Sequence, residues 1–305
     1  MKIVVIGSSN TDMIIKVPRI PKPGETILGG TFQTAAGGKG ANQAVAAARA
    51  GGDVIFVARV GDDIFGEQAI QGFKTDHIDV SYVVKDKTAP SGIAEIFVGE
   101  DGENSIAVAS GANANLSPED IQRAEGVIKT ADIVVLQLEI PLATVTKAAH
   151  LAGKHGIKVI LNPAPAQPLS DDLLGNVTVL TPNESEAELL TGIPVANEAS
   201  AEKAAKVLRE KGIQVVILTM GATGVYVSAE EFSGIQQGFK VKAVDTTAAG
   251  DVFNGALAVS FAQEKKLVEA VQFAQAAAAL SVTKLGAQPS APQNQEILNF
   301  LSSQV

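Results

Sequence analysis

The sequence predicts an α/β protein built on a doubly wound, mainly parallel sheet with helices on both faces. Short apolar runs recur along the chain, and helical patterns separate many of them. At 305 residues, 46% of them hydrophobic, the chain can bury one large core or two ordinary ones.

The runs at 3–6, 54–57, 133–136, 159–161, 177–180 and 215–218 have the length of strands buried on both faces. The first is far too short for a signal-peptide core and reads as a strand. Helical patterns follow over 64–74, 118–129, 142–155 and 201–211. Two stretches break the alternation. Residues 11–34 and 81–108 carry β-rich segments, such as Gly92-Ile93-Ala94-Glu95-Ile96-Phe97-Val98, between Gly-rich or charged turns. By composition they fit a separate small sheet and an edge extension of the main one equally well. Beyond Gly250 the chain reads as almost entirely helical, with an Ala-rich run at 274–279.

A formal charge of −9 argues against a nucleic-acid partner, although backbone donors and a bound cation can still hold phosphate locally in an acidic protein. With no cysteine, disulfides, thiolate nucleophiles and Cys-based zinc sites are excluded. His77, His150 and His155 are scattered, and the last two stand five apart, outside the spacing that stacks ligands on one helix face. No stretch is long and apolar enough to predict a membrane span, so a soluble, cytoplasmic protein is expected.

Chemistry concentrates in Val244-Asp245-Thr246-Thr247-Ala248-Ala249-Gly250-Asp251-Val252-Phe253-Asn254-Gly255, which sets small residues and a carboxylate at the mouth of an apolar helix. Free N–H groups at a helix start can face an anion, and Asp251 is placed to hold or deprotonate a hydroxyl, a combination suited to phosphoryl transfer. Asp is also a favoured helix cap, and that plainer reading stands beside it. A second Gly-rich element, Ala36-Gly37-Gly38-Lys39-Gly40-Ala41-Asn42-Gln43-Ala44, leads into another Ala-rich helix. Asn10 and Asp12 follow the first strand at its C-terminal end, where open α/β sheets bind ligands. A carboxylate there can accept from two neighbouring hydroxyls, and loop solvation is the alternative role for Asp12 and Glu139. The first strand runs into Gly7-Ser8-Ser9-Asn10-Thr11-Asp12 without the GxGxxG turn of dinucleotide-binding oxidoreductases, and no Walker GxxxxGK[ST] element is present.

The two Gly-rich segments together resemble the paired signatures of the ribokinase family of carbohydrate and nucleoside kinases. The likeness continues in order through Asn183-Glu184-Ser185-Glu186, Thr219-Met220-Gly221-Ala222-Thr223-Gly224 and Lys284-Leu285-Gly286-Ala287-Gln288-Pro289-Ser290, and so spans nearly the whole chain. It implies a single kinase domain over 1–305, with 11–34 and 81–108 forming a small β-sheet lid and a homodimer made through that lid. The implied reaction is ATP-dependent phosphorylation of D-ribose at O5, with Asp251 as base and the N–H groups of Ala248, Ala249 and Gly250 as anion hole. Implied sugar contacts are Asn10, Asp12, Gly38, Lys39, Asn42, Glu139 and Asp251; lid residues such as Ala94 and Ile96 bear on specificity. Implied nucleotide contacts are Asn183, Glu186, Thr219, Gly221, Gly224, Gly250 and Gln275, the last where some relatives carry His. Asn183 and Glu186 would organise Mg²⁺, often through water. Asp245, Thr247, Ser281, Lys284, Gly286 and Ser290 would hold K⁺, partly through backbone carbonyls. The resemblance leaves open a kinase for fructose, a deoxysugar or a nucleoside, and a non-catalytic sensor on the same fold.

Overall fold

The computed structural model describes residues 1–101 and 103–304. Gly102, inside the 81–108 stretch, and Val305 lie outside the described residues. The chain opens with β1 (Lys2–Ile6), then β2 (Asn10–Val17), β3 (Thr31–Gly37), α1 (Lys39–Arg49), β4 (Asp53–Gly61), α2 (Ile64–Thr75) and β5 (Asp79–Asp86). It continues through β6 (Gly92–Gly99), β7 (Asn104–Ala109), α3 (Pro118–Arg123), α4 (Glu125–Ile128), β8 (Ile133–Leu136), α5 (Leu142–Lys154), β9 (Lys158–Leu161), α6 (Asp171–Leu174) and β10 (Val179–Leu180). The last part holds α7 (Glu184–Thr191), α8 (Glu198–Glu210), β11 (Val215–Thr219), β12 (Gly224–Ser228), β13 (Ser233–Gln237), α9 (Ala249–Ala262), α10 (Leu267–Ser281) and α11 (Asn294–Ser302).

Among the described residues these strands form two sheets. The main one is nine-stranded in the order β13-β12-β11-β10-β9-β8-β1-β4-β5, and the other is four-stranded in the order β3-β2-β6-β7. From β11 to β5 the main sheet is parallel; β12 and β13 add an antiparallel edge. Successive β1 side chains point to opposite faces, so Ile3 and Val5 enter one core layer and Val4 and Ile6 the other. Helices α1, α2, α9, α10 and α11 cover the first face, and α3 to α8 cover the second. That double burial is why β1 and β8 read as unbroken apolar runs.

Strand order reverses about β1, which has β4 on one side and β8 on the other. A crevice opens at such a switch point, at the C-terminal ends of the strands. Here β1 also feeds the small sheet after Gly7, Ser8 and Ser9, and β3 returns through Gly38 to α1, so both sheets meet at the crevice.

The sequence-based elements need three adjustments. Residues 81–86, expected in the small sheet, belong to β5 at the edge of the main sheet, parallel to β4. They complete a β4–α2–β5 crossover, and their pairing depends on that connection rather than on any local signal. The helix expected at 118–129 divides into α3 and α4 about Ala124, and the strand at 177–180 shortens to Val179–Leu180. No helix among the described residues is long and apolar enough to cross a membrane.

One close approach sets the geometry that follows. A Cβ on Gly255 of α9 would lie 2.6 Å from the Gln43 carbonyl oxygen, 2.7 Å from Ala46 Cβ and 2.8 Å from Ala47 N of α1. Gly255→Ala gains about 1 kcal/mol of helix propensity but forces apart two rigid backbones, a cost of about 1–3 kcal/mol. The clash prevails because no flexible side-chain end can give way, so a lowered urea midpoint is expected. Gly72→Ala is the control: that position in α2 has open space, and its midpoint rises.

Candidate active site

α9 begins at Ala249, and its N-cap, Ala248, is left-handed with φ 60° and ψ 12°. A residue bearing a Cβ pays about 1–2 kcal/mol there, so surrounding contacts hold the turn against local preference. The Ala249 N–H reaches back to the Thr246 carbonyl at 3.3 Å. Those of Ala248, Gly250 and Asp251 have no protein partner among the described residues, which leaves a cluster of donors at the positive end of the helix.

Asp251 does not cap this helix. It is the third helical residue, only 5% exposed, and its side chain turns toward α1. Asn42 Nδ2 donates to its Oδ2 at 2.9 Å and Gln43 Nε2 to its Oδ1 at 3.0 Å. Burial pushes its pKa up, while Lys39, Asn42 and Gln43 work in the other direction. Asn254 braces the turn: its Nδ2 donates to the Gly250 carbonyl at 2.8 Å, and its Oδ1 accepts from Thr181 Oγ1 at 2.7 Å.

On the small-sheet side, β2 presents Asn10 and Asp12 on one face. Asn10 Oδ1 accepts from Asn113 Nδ2 at 2.7 Å, which leaves the Asn10 amide nitrogen free to donate. Asp12 packs over Gly37, and burial, then Glu139 and Asp251, push its pKa up to about 6. Gly38 has φ +89°, and a Cβ there would lie 2.7 Å from the Asn10 backbone nitrogen, so glycine is required where β3 passes into α1. Glu139 Oε2 accepts from Ser8 Oγ at 2.6 Å and from the Lys39 backbone at 3.0 Å. Burial alone would lower the Lys39 pKa; Asp251, Glu139 and Glu186 outweigh it and raise the value.

A cleft of about 190 Å³ is lined by Lys39 and residues 248–251, and also by Asn162, Thr181, Asn183, Glu186 and Thr219. Asn183 caps α7 by accepting from the Glu186 N–H at 2.8 Å, and Glu186 returns the bond by accepting from the Asn183 N–H at 2.9 Å. This capping box gives the NxxE element a structural role beside any ligand role. Glu186 is buried rather than exposed, and burial raises its pKa.

Three predicted nucleotide residues lie outside this lining. Gly221 sits in the turn after β11; Gly224 lets β12 approach the end of β13, because a Cβ there would meet the Gln236 carbonyl oxygen at 2.3 Å. Gln275 of α10 donates to the carbonyls of Gln236 at 3.0 Å and Gln237 at 3.3 Å.

The residues proposed for a monovalent cation are drawn together in part. Asp245 accepts from Thr247 N and Gly286 N, both at 2.9 Å. Burial works to raise its pKa, but the bonds from Thr247 and Gly286 hold it below the ordinary value. Ser281 and Ser290 donate their hydroxyls to backbone carbonyls and keep oxygen lone pairs, whereas the Lys284 ammonium turns to Glu296 at 2.9 Å.

Ser8, Gln43, Asn113, Gln137, Asn162, Thr181 and Asn254 also build this region and were not singled out by the sequence reading. Several directly follow strand ends, a positional signal that could have found them. A larger hollow of about 480 Å³ beside Asp62, Asp63 and residues 86–90 is no competing site, since Asp63 and Asp86 are already engaged by Gly66, Ser91, Arg59, Thr88 and Asn115.

A model of pfkB family carbohydrate kinases matches residues 1–294. The chain is 50% identical over 299 residues to a ribokinase of Haemophilus influenzae, with 98% of each chain covered. It is also 42% identical over 303 residues to a deoxyribokinase of Salmonella typhi, covering 99% of each. The structure of Arabidopsis thaliana ribokinase complexed with ribose and ATP is similar at a TM-score of 0.91, with 35% identity and 98% of each chain covered. Sequence and architecture agree over the full length: the chain belongs to the pfkB family of carbohydrate kinases.

Proposed function

We propose that this protein is an ATP-dependent ribokinase that phosphorylates D-ribose at O5, giving D-ribose 5-phosphate and ADP. The observation that carries the reading is the buried Asp251 carboxylate, set between the Asn10–Asp12 face of β2 and the free N–H groups at the start of α9. An acceptor hydroxyl against Asp251 loses its proton to the carboxylate as its oxygen bonds to the γ-phosphorus and the bond to ADP breaks. The N–H groups of Ala248, Gly250 and Asp251 face the charge that develops on the transferred group; Ala249, expected among them, gives its N–H to the Thr246 carbonyl instead. Asn10, Asp12, Gly38, Lys39, Asn42 and Glu139 hold the sugar, and the four-stranded sheet covers it as a lid.

Lys39 is the one cation among the described residues lining the cleft, beside the carboxylates of Asp251 and Glu186. Such a site fits a triphosphate that arrives with Mg²⁺, whose charge would be balanced there. Glu186 accepts from Asn183 at both oxygens, which favours holding the metal through water. The Asp245 carboxylate and the Ser281 and Ser290 oxygens suit a K⁺ ion that orders residues 245–251.

The first experiment measures ADP release from Mg·ATP with D-ribose, 2-deoxyribose, D-fructose and adenosine, each in K⁺ and in tetramethylammonium buffer. Ribose is the preferred acceptor, K⁺ raises turnover, and Asp251→Asn folds but loses about 10²–10⁴-fold in rate. Preference for 2-deoxyribose, at 42% identity to a deoxyribokinase, would keep the chemistry and overturn the acceptor.

Acceptor affinity also carries a pH signature. With a pKa of about 6, Asp12 is ionised at pH 7 and accepts from two sugar hydroxyls; below pH 6 it is protonated and loses that capacity. The KM for sugar therefore rises as pH falls through 6, by up to about tenfold per unit, and Asp12→Asn removes this dependence. A sugar KM flat from pH 5 to 8 would remove Asp12 from acceptor binding.

Both faces of the small sheet carry apolar side chains. Ile14, Ile96, Ile106 and Val108 share the Asp12 face, while Ile15, Phe32 and Phe97 share the other. Phe32 is 62% exposed and Ile106 55%, more than one chain covers by itself. A second copy packed on one face of this sheet would cover part of them: sedimentation is expected to give a dimer that either Phe32→Asp or Ile106→Glu dissociates, the effective variant marking the face, and a wild-type monomer would refute the interface.

A further inference from the structure

We propose that Gln137 is a positioning residue for the transfer reaction: it fixes the Gln43 amide so that its N–H group, not its carbonyl, faces Asp251. This rests on the reading of Asp251 as base. Gln137 follows β8 directly, Gln43 lies on α1, and both are 0% exposed. Gln43 Nε2 serves two acceptors, Asp251 Oδ1 at 3.0 Å and Asn162 Oδ1 at 3.2 Å. Rotated by half a turn, the same amide would set its oxygen against two oxygens and leave the carboxylate one donor short. Gln137 Nε2 donates to Gln43 Oε1 at 2.7 Å, and with Gln137 turned this way the bond forms only while the Gln43 carbonyl faces it.

Gln137 is held at this position by a polar contact as well as by packing. Its own Oε1 is buried with no partner among the described residues, and a Cβ on Gly7 would lie 1.9 Å from it. A leucine or methionine there would remove this carbonyl but leave Gln43 Oε1 without its donor, so one buried carbonyl or the other goes unpaired, at a cost of about 1–3 kcal/mol. What the glutamine adds is a donor aimed at Gln43. By polarising that amide it strengthens the bond Gln43 gives to Asp251 and favours the ionised carboxylate.

Asp251 is faced by Lys39 of α1, Asp12 of β2, Glu139 after β8 and Glu186 of α7, so its titration must be separated from theirs. Turnover at saturating sugar and Mg·ATP does this, because Asp12 acts on sugar binding. Gln137→Met and Gln137→Leu lack the donor but differ in shape. Both are expected to move the acid limb of kcat upward by about half a pH unit, a loss of about 3-fold on the acid side that recovers at high pH. KM values and thermal midpoint stay close to wild type, since one unpaired carbonyl, on Gln43, replaces another.

Gln43→Met shifts the limb further, and adding Gln137→Met to it changes nothing more, because the second residue acts through the first. An unmoved limb with wild-type turnover, a loss equal at all pH values, an additive double variant, or failure of both single variants to fold would each overturn the proposal. If Asp251→Asn kept its turnover, the base assignment itself would fall, a result distinguishable from all of these.

Discussion

The crossing of α9 over α1 is the constraint on which the rest depends. Gly255 lets the two backbones come together, and this brings the Asp251 carboxylate within reach of Asn42 and Gln43. A carboxylate buried to this degree would be untenable without such donors. With them it remains available as an anion, yet burial still raises its affinity for a proton. That is the compromise a general base needs: held by amides rather than by a paired arginine, it is not locked into a weakly basic ion pair. The left-handed turn at Ala248 belongs to the same arrangement, since it starts the helix where Gly250 and Asp251 offer their N–H groups to the cleft.

Charge around the crevice is deliberately out of balance. Lys39 interacts with Asp251, Glu139 and Glu186, and Asp12 adds a further carboxylate whose proton affinity is raised by burial and by its acidic neighbours. Left alone, this set disfavours a triphosphate. On the proposed reading the ligands supply what is missing: sugar hydroxyls donate to Asp12 and Glu139, and the metal offsets the phosphates.

Most of the main sheet was legible because strands buried on both faces have a simple sequence form, as at Ile133–Leu136. β5 was not, because residues 81–86 alternate like a strand of either sheet and only the α2 crossover decides between them. Charged and glycine-bearing parts of the site were legible as motifs. Asn10 and Asn42 were also legible, but Gln137 and Asn162 stand in no motif, and Gln43 and Asn254, though inside the two Gly-rich segments, look like satisfied core residues until the fold shows what they face. The capping box of Asn183 and Glu186 illustrates the converse, a pattern read as a ligand element that also has a purely local reason to exist. Gly224 and Gln275 are similar, since the closure of the β12–β13 edge onto α10 already calls for both.

The small sheet contributes more than cover. In its register Asn10 of β2 lies between Gly37 of β3 and Gly92 of β6, and Asp12 lies between Ala35 and Ala94. A Cβ on Gly37 would be 2.3 Å from an Asp12 oxygen, and one on Gly92 would be 2.2 Å from Asn10 Oδ1. The two polar side chains therefore rest in a trough made by small residues on both neighbours, and their positions are set by strand pairing rather than by a mobile loop. Slippage by one residue would turn Asn10 and Asp12 to the opposite face. Asn113 guards against that from outside the sheet, bonding Ser9 N at 2.8 Å and Asn10 Oδ1 at 2.7 Å where β1 passes into β2. On the proposed reading, recognition of the sugar rests on the pairing of four strands and transfer of phosphate on the contact of two helices, and the short segments through Gly7 and Gly38 hold the two in one frame.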